Sequence, residues 1–136
     1  MIFLNLLPLL KEQIILSNYF PGVDIVDVAR IKKSIENYKE KFLDKIFSKD
    51  EQYYCFSKSN PHIHFSGKFA AKEAVMKSVL SSEDVKLIGF LDISIINDSN
   101  GIPKVGIKNL PEADIKISIS HTEYQAIAFA IYDKNT

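Results

Sequence analysis

The chain has 136 residues, of which 46% are hydrophobic and 25% charged, and its formal net charge is zero. This balance is typical of one globular domain that is long enough to bury its own core. Without a net charge the chain has no overall attraction to nucleic acid or to an anionic membrane, so we expect neither as a partner. The single cysteine, Cys55, excludes an internal disulfide and is interpreted as a small buried apolar residue.

The apolar run MIFLNLLPLL opens the sequence. It lacks the basic start and the small-residue cleavage site of a signal peptide, and it is too short to span a bilayer. We therefore interpret residues 1–20 as an N-terminal extension packed on a single domain formed by residues 21–136. A remnant of a targeting segment is the alternative.

The first half of the domain reads as one strand followed by helices. GVDIV (22–26) predicts a short buried strand, and apolar residues at steps of three and four predict an amphipathic helix from Val28 to Phe42. SKDE (48–51) fits a capping box, with Ser48 as the cap and Glu51 reaching back, for a helix that ends near residue 57. SNPHIH (59–64) is predicted to be a loop because Pro61 interrupts the pattern.

The second half reads as a long helix followed by strands. Residues 65–80 predict a long central helix, and residues 91–107 predict a hairpin around the turn-rich NDSNG. Residues 114–120 alternate as a half-buried strand, whereas 124–132 are apolar on both faces, as in a central strand. The predicted fold class is α+β, a mostly antiparallel sheet packed against a long central helix.

Glu73 is the first candidate for chemistry, because it lies in an apolar stripe of the long helix with Lys77 one turn away. A buried carboxylate has to be paired, metal-bound or close to water. An ordinary helix pair with Lys77, contributing about 0.2–0.5 kcal/mol, is the structural alternative.

Asp24 is the second candidate, since an acidic residue is disfavoured among the apolar residues of a strand. It could instead compensate the dipole of the helix that starts near Asp27. Together with Glu73 it would form a sparse oxygen site of the kind that Mg²⁺ completes with water and phosphate oxygens.

Three histidines complete the set of candidates. His121 follows a predicted strand in SISH, where a capping or hydrogen-bonding role is the alternative to a functional one. His62 and His64 fall in the predicted loop and are interpreted as surface residues. The sequence contains no glycine-rich phosphate loop, zinc-type histidine spacing or G-x-S-x-G nucleophile turn.

These motifs, in their order, resemble those of a known family. GVDIV followed by FAAKEAVMK is similar to the signature of the 4'-phosphopantetheinyl transferases, and the segments FLDKIFSKDEQYYC, NGIPKV and ISISHT favour the small, single-lobe holo-acyl-carrier-protein synthases. The resemblance covers roughly residues 22–132. It implies Mg²⁺-dependent transfer of 4'-phosphopantetheine from coenzyme A to a serine of apo acyl carrier protein. Adenosine 3',5'-bisphosphate is released, and the reaction serves fatty acid biosynthesis.

The resemblance also assigns roles to particular residues. Asp24 and Glu73 would hold the metal, and Lys77 would contact phosphate as a third catalytic residue. Lys72 belongs to the same motif, but its side chain is expected to point about 100° away from Glu73. Whether a metal-held water or Glu73 takes the serine proton is left open. The coenzyme would be bound by further matched residues: Lys68, Lys77, Gly101, Pro103, Ser120 and His121.

The resemblance further implies a cytoplasmic homotrimer with active sites between subunits, with import into an organelle as an alternative location. Arg30 matches a position on the first helix that meets the acidic carrier protein, and Lys33, Lys41 and Lys45 would extend that patch unless they only solvate the surface. A non-catalytic module that binds carrier protein or nucleotide is the rival interpretation. A transferase specialised for another carrier is a third.

Two positions depart from the family's pattern. Lys68 stands where the family usually has arginine, which keeps the charge but loses the two-pronged donor. Pro21 precedes Gly22 where a second glycine is common, and we expect Pro21 to end a preceding element.

Overall fold

A computed structural model describes Pro8 and residues 18–134. The predicted packing of residues 1–20 therefore lies almost wholly outside the described residues. None of the described helices has an apolar stretch long enough to cross a membrane. The elements in chain order are β1 (Tyr19–Asp27), α1 (Val28–Tyr38), α2 (Glu40–Ile46), α3 (Lys49–Phe56), α4 (Pro61–Ser81), β2 (Ile93–Asn97), β3 (Pro103–Ile107), β4 (Asp114–His121) and β5 (Gln125–Asp133).

The strands form two antiparallel sheets on one long helix, which confirms the predicted α+β class. The larger sheet has the order β1-β5-β4, and the smaller is the β2-β3 hairpin predicted from the sequence. The strand β5 is central, as expected, and α4 packs along both β1 and β5. The contact face of α4 is made of small and apolar side chains that are fully buried: Ala70, Ala71, Ala74, Val75 and Val79.

The strand β1 differs from the prediction of a short buried strand. It spans nine residues and alternates, with Val26 buried and Val23 and Ile25 about half exposed on the outer face. Pro21 lies inside this strand instead of ending an earlier element. Within the described residues β1 is an edge strand, where a proline need not donate a ladder hydrogen bond.

Gly22 sets the distance between β1 and α4. A Cβ atom at this position would lie 2.0 Å from the carbonyl oxygen of Ala74 and 2.8 Å from the amide nitrogen of Ser78. Only a residue without a side chain allows the strand to approach the helix backbone this closely. The glycine of GVDIV therefore has a packing role, and it fixes where Asp24, two residues later, lies relative to α4.

The helical half contains two corrections. The amphipathic segment predicted from Val28 to Phe42 is interrupted at Lys39, whose φ of 48° ends α1 and starts α2. Pro61 is the first residue of α4, a position where its missing N–H costs nothing, so residues 61–64 are helical and not a loop.

Two other local predictions are confirmed. Ser48 caps α3, and the side chain of Glu51 accepts a hydrogen bond from the Ser48 amide, as the capping box requires. Cys55 is fully buried, and burial raises the pKa of its thiol to about 12, which keeps it protonated and inert at neutral pH.

Candidate active site

The close contact at Gly22 brings Asp24 of β1 beside Glu73 and Lys77 of α4. Lys77 Nζ lies 2.9 Å from the Val23 carbonyl oxygen and 3.2 Å from Asp24 Oδ1. The helix pair considered as an alternative, Lys77 with Glu73, does not form among the described ion pairs. Lys77 remains half exposed, so its ammonium is available to a charged ligand.

The carboxylate of Glu73 has no hydrogen bond or ion pair within residues 18–134. Partial burial raises the pKa of this carboxyl, and the nearby Asp24 carboxylate raises it further, whereas Lys77 and Arg30 oppose the rise. Two carboxylates that repel each other at the edge of the core favour a cation between them. The described residues contain no cluster of three or more metal-ligating side chains, so an ion held here would be completed by ligand and water oxygens.

Arg30 lies on α1 close enough to Glu73 to lower the pKa of its carboxyl. It is exposed, as are Lys33, Lys41 and Lys45 along α1 and α2. None of these four cations forms an ion pair within residues 18–134. Arg30 therefore places positive charge beside the acidic pair, whereas the three lysines are interspersed along the helices with the exposed acids Glu36, Glu40 and Asp44.

A second feature is a pocket of about 330 Å³ between α4, the β2-β3 hairpin and β4. Four of the residues matched to coenzyme binding line it, namely Lys68, Gly101, Pro103 and His121. Ser120 does not line this pocket, whereas Ser118, two residues earlier on the strand, does. Gly101 has a φ of 80°, a conformation that only glycine adopts readily, which suits it to the tight turn at the pocket rim.

The pocket is lined by the nitrogen groups of Lys68, His64 and His121, and no carboxylate is among its described lining residues. We call it the cationic pocket after the Lys68 ammonium. His64 and His121 face each other edge to face with ring centroids 6.3 Å apart, and Tyr54 lies against His64 at 6.1 Å. Burial lowers the pKa of His64, and the neighbouring His121, Lys58 and Lys68 lower it further. The charge and shape of the pocket suit an anionic ligand that carries an apolar or aromatic part.

The sequence missed His64, Tyr54 and Asn97 as lining residues. The loop predicted for residues 59–64 contains His64, because the sequence pattern around Pro61 indicates a helix breaker. Had Pro61 been interpreted as a helix start, His64 would have fallen one turn before Gly67 and Lys68. Tyr54 and Asn97 reach the pocket through contacts between distant segments, which no local pattern encodes.

Lys68 is held by the protein itself and not by solvent. Its side chain is 3% exposed, and Nζ donates to the Ile95 carbonyl oxygen at 2.5 Å and to Asn97 Oδ1 at 2.8 Å. The ammonium also lies 4.6 Å from the centre of the Tyr54 ring. Burial lowers its pKa. Two of the three N–H donors of this ammonium bond to β2. Lys68, which stands where the resemblance predicts arginine, therefore binds the hairpin of its own chain.

Lys72, next to Glu73 in the chain, points into the core. Its Nζ lies 2.7 Å from Glu51 Oε1 and 2.7 Å from the Ile46 carbonyl oxygen, and both charged side chains are fully buried. The other carboxylate oxygen of Glu51 accepts from the Ile95 amide at 2.8 Å. The pair connects α2, α3 and β2 to α4, which gives Lys72 a structural role.

The acidic pair and the pocket lie on different sides of α4. Lys68 and Glu73 are five residues apart, which is about 140° around the helix axis and about 7.5 Å along it. An extended ligand that contacts both sites has to pass around the helix or be held by two chains.

An acidic pair beside an exposed lysine, with a pocket that suits an anionic ligand, is typical of an α+β enzyme that acts on phosphate groups. Known proteins of this kind share the sequence and the fold. Residues 21–130 match the family model of the 4'-phosphopantetheinyl transferase superfamily. The chain belongs to this superfamily, as its motifs indicated.

The relatives define the group more narrowly. The holo-[acyl-carrier-protein] synthase of Protochlamydia amoebophila is 41% identical over 116 residues, covering 82% of this chain and 94% of the relative. That of Thermodesulfovibrio yellowstonii is 44% identical over 110 residues, covering 81% and 94%. The resemblance to the small holo-acyl-carrier-protein synthases is thereby confirmed.

Solved structures agree with this grouping. The Helicobacter pylori holo-[acyl-carrier-protein] synthase in complex with coenzyme A is 32% identical with a TM-score of 0.72, covering 83% of this chain and 99% of that one. The Bacillus anthracis synthase, in complex with CoA (3',5'-ADP), is 30% identical with a TM-score of 0.71, covering 84% and 95%.

Proposed function

We propose that this protein transfers the 4'-phosphopantetheine group of coenzyme A to a serine of apo acyl carrier protein. The serine hydroxyl oxygen attacks the phosphorus that carries the pantetheine arm, and a new phosphodiester bond forms. The pyrophosphate P–O bond breaks, adenosine 3',5'-bisphosphate leaves, and the serine proton is released. The observation that carries the proposal is the placement of Asp24, Glu73 and Lys77 together, beside the exposed Arg30.

The residues of the acidic pair fit a magnesium ion. Asp24 and Glu73 would hold it, and when bound it would neutralise the pyrophosphate and stabilise the departing bisphosphate. Lys77, fixed by Val23 and Asp24, holds positive charge at the point where charge develops on the transferred phosphoryl group. The ionised form of Glu73 is the one this role requires.

The cationic pocket is proposed as the site for the adenosine end of the coenzyme. His121 and His64 supply donors for phosphate, and the turn at Gly101 with Pro103 supplies a small apolar wall. Since the pocket and the acidic pair lie about 140° apart around α4, we propose that one coenzyme is bound between two subunits.

The outer face of the larger sheet supports this assembly. Val23, Ile25, Ile127 and Phe129 are 41–58% exposed there, and they are neighbours across the β1-β5 pairing. An apolar sheet face of this kind is suited to burial against another copy of the chain. We propose a homotrimer in which these faces meet and the coenzyme sites lie between subunits.

The carrier protein is proposed to dock on α1 and α2. Arg30 stands beside the acidic pair, and Lys33, Lys41 and Lys45 extend its charge along the surface. Charge complementarity with an acidic carrier would steer the serine towards Glu73 and Lys77.

The test is to incubate the protein with apo acyl carrier protein, coenzyme A and Mg²⁺, and to weigh the carrier by mass spectrometry. The proposal predicts a gain of one phosphopantetheine group for each carrier. No gain at enzyme concentrations at which a known synthase completes the reaction would refute it. Coenzyme A binding that needs neither Mg²⁺ nor Asp24 would favour the rival, a non-catalytic binding module.

A further inference from the structure

We propose that Asn97 is a positioning residue for the coenzyme: together with Lys68 it fixes the hairpin turn of residues 98–102 on α4, at the rim of the cationic pocket. This inference rests on the proposed function, since it concerns how that site binds coenzyme A. It assigns Lys68 an indirect role in place of the phosphate contact that the family resemblance implied.

The turn is shaped by its own residues. Asp98 Oδ1 accepts from the amides of Asn100 and Ile102 at 2.8 and 2.9 Å, and the Asp98 amide donates to the Ile102 carbonyl oxygen at 2.9 Å. These bonds close the loop locally. They do not determine where the closed loop lies relative to α4.

Asn97 determines how the closed turn is held relative to α4. Its side-chain amide donates to the Gly101 carbonyl oxygen at 3.0 Å, while its Oδ1 accepts from Lys68 Nζ at 2.8 Å. A continuous chain of hydrogen bonds therefore runs from α4 through Lys68 and Asn97 to the turn. Gly101 and Lys68 both line the pocket, so the chain spans its wall.

Lys68 holds the α4 end of this series of hydrogen bonds in a fixed position. It is 3% exposed, its second bond goes to the Ile95 carbonyl oxygen, and Tyr54 covers its ammonium. A buried cation with these partners has little freedom to turn towards a ligand, because leaving them would strand a charge in the core. The side chain that can transmit its position to the ligand is Asn97.

The substitution Asn97→Asp separates positioning from simple support of the core. The carboxylate still accepts from Lys68, so the melting temperature should stay near that of the wild type. It cannot donate to the Gly101 carbonyl oxygen, and losing a bond of this kind should raise the Kd of coenzyme A about 3- to 10-fold. The KM for coenzyme A should rise by the same factor, with kcat and the KM for carrier protein unchanged.

Two further variants remove the ambiguity of the added charge. Ser99→Asp places the same charge on an exposed residue of the same turn without touching the chain of bonds, and it should bind coenzyme A more tightly than Asn97→Asp. Asn97→Ala, which adds no charge, should also weaken binding. The measurement is calorimetric titration of coenzyme A into each folded protein, followed by steady-state kinetics.

The outcomes are distinguishable. A wild-type protein that binds no coenzyme A refutes the proposed function, and the inference with it. If the wild type binds and both Asn97 variants bind equally well, the positioning role is wrong while the proposed function stands. Equal weakening by Ser99→Asp and Asn97→Asp, with normal binding by Asn97→Ala, also contradicts it, because charge alone would then explain the effect.

Discussion

Lys77 pairs with Asp24 across two elements and not with Glu73 on its own helix. Its Nζ lies 3.2 Å from Asp24 Oδ1, and the Val23 carbonyl oxygen holds the same ammonium at 2.9 Å. Within residues 18–134, Glu73 is thereby left without a hydrogen bond or ion pair, partly buried beside a second carboxylate. The arrangement costs stability and leaves the Glu73 oxygens free for a ligand.

Glu73→Gln should therefore raise the stability of the protein and lower its activity. Folding raises the pKa of Glu73 above its ordinary value near 4.5. Between that value and the pKa in the folded protein, the folded state binds more protons than the unfolded state, so stability falls as pH rises through this range. In EDTA the variant should be more stable than the wild type at neutral pH. Because the group is only partly buried, the gain should stay below about 1 kcal/mol.

The gain should disappear below about pH 4, where both states of the wild type carry a protonated Glu73. Transfer activity with Mg²⁺ should fall about 100-fold or more. The measurements are urea unfolding across pH and initial rates of carrier modification. A variant that is less stable at pH 7 and equally active would contradict the role of Glu73.

The buried pair of Lys72 and Glu51 predicts a large stability effect that is not catalytic in origin. Lys72→Met leaves the Glu51 carboxylate buried without its cation and should cost about 3–5 kcal/mol of unfolding free energy. Adding Glu51→Gln should recover part of that loss, since no unpaired carboxylate then remains at this position in the core. Urea unfolding of the single and double variants checks the coupling; strictly additive losses would show that the two side chains act independently.

Position 22 should not tolerate any side chain. Gly22→Ala would place a methyl group 2.0 Å from the Ala74 carbonyl oxygen and 2.8 Å from the Ser78 amide nitrogen. Because both of these atoms belong to the backbone of α4, which cannot give way as a side chain can, we expect a loss of about 3 kcal/mol or more. The matched control is Pro21→Ala, on the exposed face of the same strand, which should cost less than about 1 kcal/mol. Thermal unfolding of both variants decides; similar melting temperatures would show that β1 can move off α4.

The exposed apolar sheet face predicts the assembly. Phe129→Asp should convert a particle of three chains into single chains of 15.4 kDa, because a charge on each of three meeting faces opposes their burial. Tyr53→Asp, which changes an aromatic residue 81% exposed on α3, should leave the assembly intact. Light scattering after size-exclusion chromatography gives the mass. A wild-type protein that runs as a monomer would refute the trimer.

Local patterns predicted most of the fold, because capping, alternation and helical spacing are encoded within a few residues. The capping box of Ser48 and Glu51 is an example. The second function of Glu51, accepting from Lys72 and the Ile95 amide, joins residues more than twenty positions apart and leaves no local signal. The prediction of a loop at Pro61 was wrong for another reason. Proline breaks the interior of a helix but also starts helices, and the neighbouring residues do not distinguish the two cases.

The residues of the candidate site could likewise be predicted only where the signal is local. Asp24 and Glu73 stood out because each is an acid in an apolar segment, a local anomaly that the sequence displays. Lys68 was recognisable as part of a motif, but its engagement with Asn97 and Ile95 depends on how the hairpin packs on α4. Ser120 was assigned by motif alone: alternation puts it on the same face of β4 as Ser118, yet of the two only Ser118 lines the pocket.

Phosphopantetheine transfer by this protein is best tested by measuring both products of one reaction. Apo acyl carrier protein, coenzyme A and Mg²⁺ are incubated with the wild type and with Asp24→Asn, and carrier mass and released adenosine 3',5'-bisphosphate are quantified together. The proposed function predicts one bisphosphate for each carrier that gains a phosphopantetheine group, and neither product with the variant. Bisphosphate released without a gain in carrier mass, or full turnover by Asp24→Asn, would contradict it.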